Sequence, residues 1–427
     1  MEALPQEVER RLGTIGTADI VVGIPTFNNA ATIGEVMSAA QAGLYNSFNS
    51  ARTVIVQIDT TGTDAARDIE PATAESNGRP QVLQVPPLDG AMPITAPQYV
   101  RPAKGTGCRT VFEVARRLRA KACGIVDADA GSPAADAIAR LVKPIVQDSY
   151  DFVAPVYTRA PFSGTITSAI AYPLTRALFG KRVRQPLAGD FACSARLIDR
   201  FLALDAWRGD VARMGIDFWV TTQALTAGAR LCQVYLGSRG SSTVEPSSAL
   251  DLRDALPSVL GSLFTTVERT EAIWQKIRGS ESVDAFGVPE LTEDDHQPFD
   301  VAQCLEAFRL GVRNLHEIWS VALPPTSLHS LRKLARVADA DFRVPDELWA
   351  RIVYDFALAF HQRRLGREHL LNAFTPLFWA WIASFVKQAA GLGAQHIEER
   401  IDALSMQFET EKPYLISRWR WPDRFTP

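Results

Sequence analysis

The sequence predicts an α/β protein: a mostly parallel sheet with helices on both faces, followed by a helical C-terminal domain. Three observations carry this. Short apolar runs alternate with helical patterns through the first half of the chain. Each run stops at polar residues suited to binding. After about residue 245 the apolar spacing becomes almost wholly helical. A chain of 427 residues is too long for one ordinary core, so two domains are expected, 1–245 and 246–427.

The first run, Ile20 to Ile24, ends in Pro25 and leads into a helical pattern from Thr32 to Ala42. The second, Thr53 to Ile58, ends at Asp59. The third, Ala122 to Val126, ends at Asp127. Buried strands alternating with helices form parallel sheets, and such sheets bind ligands at their strands' carboxyl ends. A proline-rich stretch, Pro86 to Pro102, is long enough to be a functional loop. In the second half, Pro345 is expected to open a helix at its first position. Leu348, Trp349, Ile352, Val353, Phe356 and Phe360 then share one face.

Composition narrows the partners. Net charge is −3, with no basic stripe of the kind nucleic acid requires. Five cysteines occur singly with no C-x-x-C, which argues against a disulfide framework or zinc site and for a reducing compartment. The N-terminal MEALPQEVERRLG has no apolar signal core, so a cytoplasmic location is expected. The apolar stretch Leu370 to Val386 is interrupted by Asn372, Thr375 and Pro376, and reads as a buried core helix rather than a membrane span. No membrane partner is expected, and a homodimer is.

Four segments carry candidate chemistry. Asp127-Ala128-Asp129 places two carboxylates just beyond a buried strand. Hard divalent cations take such oxygens, and a cation lowers the barrier to departure of a diphosphate. On the tripeptide alone a solvated turn is the commoner reading; the strand before it and the matching units upstream reverse that. Ile24-Pro25-Thr26-Phe27-Asn28-Asn29 and Ile58 to Asp64 follow the other two strands. Asp59 is placed to accept from a base or ribose, while the competing reading of Asn28, Asn29 and Asp64 is that they cap helices. Lys104, between Arg101 and Gly107 in a glycine-rich turn, is placed for a phosphate, though a lone lysine there is more often solvated. Finally, Lys181 to Phe191 leads basic residues into a Pro-Leu-Ala-Gly turn. Asp217 follows among apolar neighbours and needs a partner or a task, with Arg213 or Arg184 as structural candidates.

These motifs, in this order, resemble GT-A fold retaining glycosyltransferases, nearest to those that make glucosylglycerate, glucosyl-3-phosphoglycerate and mannosylglycerate. The resemblance spans residues 18 to 240. It continues in LWARIVYDFALAFHQRR, LFWAWIASFV and EKPYLISRW of the helical region. It implies a nucleotide-sugar donor, a small hydroxy-acid acceptor and a divalent metal, Mg²⁺ or Mn²⁺. Pro25, Thr26, Phe27, Asn29 and Asp59 would hold the nucleoside end of the donor. Lys104 would contact its phosphates, and Asp127 its ribose or sugar. Gln185, Leu187, Ala188, Gly189 and Asp190 would line the sugar pocket. Asp129 would bind the metal. Asp217, with Asp127 and Leu187, would stand at the reacting centre. Gly164, Thr165 and Thr167 would meet the acceptor.

Two departures from the resembling pattern bear on substrate and metal. Thr165 stands where the phosphoglycerate enzymes have arginine, which implies an acceptor without phosphate such as D-glycerate. The relatives also have a metal-binding histidine soon after Leu236-Gly237. Here the segment reads GSRGSSTVEP, and all six histidines lie between His296 and His396. A non-catalytic or altered-specificity sugar-nucleotide-binding protein is the alternative this leaves. A nucleotidyltransferase ranks lower, since VVGIPTFNN lacks a Gly-rich, Arg-containing loop.

Overall fold

A computed structural model describes residues 4–27, 29, 31–60, 79–88, 104–128, 135–160, 162–204, 207, 215–238, 249–290, 292 and 299–421. Asp129, Asn28, Asp64, Arg213 and most of the Pro86–Pro102 stretch lie outside the described residues. The chain forms two compact units. One comprises Met1–Thr158, Gln185–Val244 and Val283–Glu290; the other comprises Arg159–Arg184, Glu245–Ser282 and Leu291–Pro427. The chain therefore passes between the units more than once.

Among the described residues the first unit holds a sheet of eight strands. They are β1 (Ile20–Thr26), β2 (Thr53–Asp59), β3 (Gln81–Val85), β4 (Ala122–Ile125), β5 (Phe152–Thr158), β6 (Phe191–Ser194), β7 (Leu231–Ser238) and β8 (Asp284–Phe286). Their order is β3-β2-β1-β4-β6-β5-β7-β8. Only β6 runs antiparallel to its neighbours, β4 and β5. All other neighbours are parallel. This is a mostly parallel α/β sheet, with a helical region in the C-terminal part. The three apolar runs read from the sequence are β1, β2 and β4.

Strand alternation sets the layers. Ile20, Val22 and Ile24 share one core with Ile33, Val36, Ala40 and Leu44 of the helix Ile33–Ser47, and with Ile138, Leu141 and Val142 of the helix Ala135–Asp148. Gly23 faces the opposite way. A Cβ on it would meet the Val111 Cγ atoms at 2.4 Å, so the helix Lys104–Arg117 lies directly on that face. Helices thus cover both faces. Pro25 lacks a ladder donor, yet it sits inside β1. The position tolerates it because β4 stops pairing at Ile125, opposite Gly23.

In the second unit, the expected helix after residue 345 is Asp346–Gln362, with Pro345 at its N-cap instead of its first turn. Trp349, Ile352, Val353, Phe356 and Phe360 are buried along it, and Leu348 is half-buried. The helix Arg367–Ala389 is long and apolar enough to cross a membrane, yet 83% of its most apolar stretch is buried. Within it Trp381 stacks on Phe385 at 4.8 Å. Pro376 is accommodated because Gly311 faces it: a Cβ there would come within 2.7 Å. All five cysteines are buried free thiols.

One buried carboxylate gives this unit a pH dependence. Asp355 is 1% exposed and accepts a bifurcated bond from the Tyr414 hydroxyl, 2.9 Å to each oxygen, and one from Arg418 Nε at 3.2 Å. Burial pushes its carboxyl up to about 7, against the opposing pull of Arg418 and Tyr414. A folded value above the unfolded one means that the folded chain holds the proton more tightly. The stability from this group is fully present below the ordinary carboxylate range and is lost as pH rises through about 7. In Asp355→Asn this slope should vanish. Plotted against pH in denaturant titrations, the wild-type-minus-variant stability should fall by up to about 1.4 kcal/mol per unit toward neutrality. Parallel curves from pH 5 to 8 would contradict the assignment.

Candidate functional site

The polar residues that end β1, β2 and β4 lie at one edge of the sheet because those strands are parallel and in register. Thr26 pairs with Asp59 across β1 and β2. The Thr26 hydroxyl donates to the Ile58 carbonyl at 3.2 Å, and the Thr60 hydroxyl donates to the Thr26 carbonyl at 2.6 Å. The Phe27 N–H donates to Asn29 Oδ1 at 2.7 Å. Asn29 therefore folds its side chain back on the loop, and its carbonyl receives the Thr32 and Ile33 N–H groups. The Thr32 hydroxyl donates to the Ala128 carbonyl at 2.6 Å, tying this loop to the turn after β4.

Lys104 is the centre of the arrangement. It opens the helix Lys104–Arg117, so the Lys-Gly-Thr-Gly segment is helical and not a free turn. Gly107 is required in that first turn, since a Cβ would stand 2.8 Å from Pro25 Cβ. An ammonium at a helix N-terminus opposes the helix dipole, and burying one costs free energy unless it is paired. Lys104 is nonetheless only 9% exposed. Its Nζ donates to the Gly189 carbonyl at 2.6 Å, to Asp217 Oδ1 at 2.8 Å and to Asp127 Oδ2 at 3.4 Å. The solvated reading of this lysine is thus excluded.

Each acceptor has its own reason to be there. Gly189 has φ +90°, a conformation that L side chains rarely adopt, and it is the residue whose carbonyl meets the ammonium. Asp217 lies in the first turn of the helix Ile216–Thr226, where a carboxylate favours the dipole. Its ion pair is with Lys104 across 113 residues of sequence, a partner the sequence did not suggest. Asp127 is buried, and its N–H donates to Asp190 Oδ1 at 2.7 Å.

Behind this layer stands Tyr157, which the sequence reading did not single out. Its hydroxyl donates to Asp190 Oδ2. Gln185 grips its backbone from both sides: Tyr157 N–H donates to Gln185 Oε1 at 3.1 Å, and Gln185 Nε2 donates to the Tyr157 carbonyl at 2.7 Å. The register of β5 against β7 shifts between Val156 and Tyr157. That irregularity re-aims a strand-end tyrosine. A polar residue at the close of β5 was the available signal.

Lys104, Asp127, Gln185, Gly189, Asp190 and Asp217 are therefore joined by direct bonds or through Tyr157. Leu187 is half-buried and Ala188 buried in the turn between Gln185 and Gly189. Pro25 and Thr26 are buried, Phe27 and Asp59 half-buried, at the ends of β1 and β2. Gly164, Thr165 and Thr167 belong to the second unit. There Gly164 has φ +72°, and the buried Thr167 opens a π-helical turn, Thr167–Ala171.

Carboxylate oxygens are the hard donors that Mg²⁺ or Mn²⁺ accept, and Asp127 supplies them at this edge. Asp129 and the segment after Ser238 lie outside the described residues. Among the described residues no group of three or more His, Cys, Asp or Glu is arranged to hold a metal.

Solved structures similar to this chain include glucosyl-3-phosphoglycerate synthase from Mycobacterium tuberculosis in complex with Mn²⁺, uridine-diphosphate and phosphoglyceric acid. The match is 22% identical, covers 60% of this chain and 82% of that one, and has a TM-score of 0.41. The same enzyme with Mg²⁺ and uridine-diphosphate is 20% identical over 63% of this chain and 85% of that one, with a TM-score of 0.42. No protein-family model matches the chain, and no match was found among curated proteins.

Removing one member of a buried ion pair leaves the other uncompensated. Lys104→Met should lower the unfolding free energy by about 3 kcal/mol at neutral pH in denaturant titrations. The deficit should shrink as acid protonates the stranded carboxylates. Wild-type stability in this variant would show that Lys104 does not neutralise Asp127 and Asp217.

Proposed function

We propose that the chain is a retaining glycosyltransferase that moves a hexose, glucose in the first instance, from a nucleotide-sugar to a small hydroxy acid, D-glycerate. The observation that carries this reading is the buried Lys104 ammonium, held between Asp127, Asp217 and the Gly189 carbonyl at the carboxyl edge of a parallel sheet. Ligands of such sheets bind at that edge. The motif order in the sequence supplies the second support.

The chemistry asks for three things, and these residues are suited to each. The donor's diphosphate departs with its bonding electrons, and a preorganised cation stabilises that charge. Lys104 can supply it by exchanging the Gly189 carbonyl for a phosphate oxygen. The anomeric carbon gains positive character as the bond breaks. Asp217, restrained by Lys104, suits an electrostatic partner for that charge better than a covalent nucleophile. The acceptor hydroxyl then attacks from the face the diphosphate leaves, and its proton passes to the departing phosphate oxygen. Asp129 would hold Mg²⁺ or Mn²⁺, with Asp127 beside it on the ribose or sugar, and the bound charge would lower the barrier to departure. Mg²⁺ retains several waters readily, which fits a site with few protein ligands. Asp59, Thr26, Phe27 and Asn29 would receive the nucleoside, and Gln185 to Asp190 the sugar. Pairing and positioning supply the rate here, as expected where no covalent step occurs.

The acceptor reading rests on Thr165 and on how the nearby cations are engaged. A phosphate dianion needs a charge-assisted partner, best a bidentate arginine. Lys181 is paired with Glu281, Arg184 with Glu398, and Arg176 with Asp402 and Glu409. A singly charged carboxylate can be held by hydroxyls and backbone donors.

Wild-type protein offered a panel of nucleotide-sugars with D-glycerate and 3-phosphoglycerate, read by mass spectrometry, should yield a glycosylglycerate as the favoured product. Thr165→Arg should move the kcat/KM preference toward 3-phosphoglycerate. Exclusive use of the phosphorylated acid by the wild type would refute the acceptor assignment. Binding of the donor without any transfer would favour the non-catalytic reading. Separately, Asp129→Ala or excess EDTA should remove nearly all transfer while circular dichroism stays unchanged. Full activity under either condition would remove the metal from the account.

A further inference from the structure

The second unit contains a carboxylate that neutralises the cation beside the acceptor turn. Arg184 reaches that turn directly: its guanidinium lies 3.4 Å from the Ser168 hydroxyl, one residue after Thr167. The same guanidinium makes a two-pronged pair with Glu398, Nε to Oε2 at 2.7 Å and the second nitrogen to Oε1 at 2.8 Å. It also lies over the Tyr172 ring, 5.3 Å from its centroid. The Tyr172 hydroxyl is fixed in turn by Asp402 at 2.9 Å. Arg184 is thereby restrained on three sides.

The restraint comes from one face of one helix. Glu398, Asp402 and Glu409 stand at helical spacing along Ala394–Arg420, and all three face the segment Arg159–Arg184. Asp402 and Glu409 neutralise Arg176, which is 1% exposed and needs them to remain buried. Glu398 is different, because Arg184 keeps some exposure and would stay hydrated without it. Stability alone therefore explains little of this pair, since partly exposed pairs contribute modestly. A guanidinium occupied on both prongs by a carboxylate cannot present that same fork to a phosphate.

We propose that Glu398 is a specificity-determining residue: by occupying Arg184 it withholds a cation that reaches the acceptor turn and so disfavours phosphorylated hydroxy acids. This rests on the acceptor reading above and adds a second device to Thr165. The first removes an arginine from the turn; the second occupies an arginine that bonds beside it.

The experiment compares kcat/KM for D-glycerate and 3-phosphoglycerate in the full chain. Glu398→Gln keeps the side chain's size and removes its charge. It should raise the 3-phosphoglycerate to D-glycerate ratio at least tenfold, while the KM for the nucleotide-sugar stays within about twofold. The double variant Arg184→Met, Glu398→Gln should lose that gain. A ratio unchanged in Glu398→Gln, in a protein that melts as the wild type does, would overturn the inference and leave the function reading intact. A gain that persists in the double variant would also overturn it, because another cation would then be responsible. If the wild type transfers sugar to neither acid, the function reading itself falls, and this assignment with it.

Discussion

The burial of one ammonium organises the sheet unit. Lys104 stands at the start of a helix, where the local field opposes it, and away from the water that would hydrate it. Such a placement survives only if oxygen acceptors converge on it. Among the described residues three do, from three different parts of the chain: the turn after β4, the glycine turn before β6 and the first turn of the helix Ile216–Thr226. Each requires its own local arrangement, including φ +90° at Gly189 and the flush packing of Gly107 on Pro25. Places where a sequence works against its local preferences are where function is to be sought.

A second line of support runs behind this layer. The Asp127 N–H is held by Asp190, Asp190 by Tyr157, and Tyr157 by Gln185. The main chain at the end of β4 is thus fixed from the shifted register of β5. A site that relies on positioning needs its outer contacts as much as its inner ones.

The strands β1, β2 and β4 were legible because they are buried almost throughout, and a continuous apolar run marks such strands plainly. The polar residues that close them were legible for the same reason. β8 was not, because an exposed three-residue strand carries no apolar run. Asp217 was readable as a carboxylate needing a partner, but not the partner: Arg213 and Arg184 were the local candidates, while Lys104 is 113 residues away. Tyr157 was missed because a polar residue at the close of β5 marks a strand end without naming its partners, Asp190 and Gln185. In the helical unit the apolar face of Asp346–Gln362 was plain from its spacing. Nothing in composition tied Arg159–Arg184 to that unit. Its membership follows from pairings with Glu398, Asp402 and Glu409, more than 200 residues on.

The central claim is that the Lys104 cluster receives the diphosphate of a nucleotide-sugar. Calorimetric titration of the intact chain with each of a panel of nucleotide-sugars and Mn²⁺, beside the same titrations of Lys104→Met, tests it most directly. The account predicts saturable binding at one site in the wild type, weakened at least tenfold in the variant. Equal affinity in the two proteins, or no binding by the wild type, would contradict it.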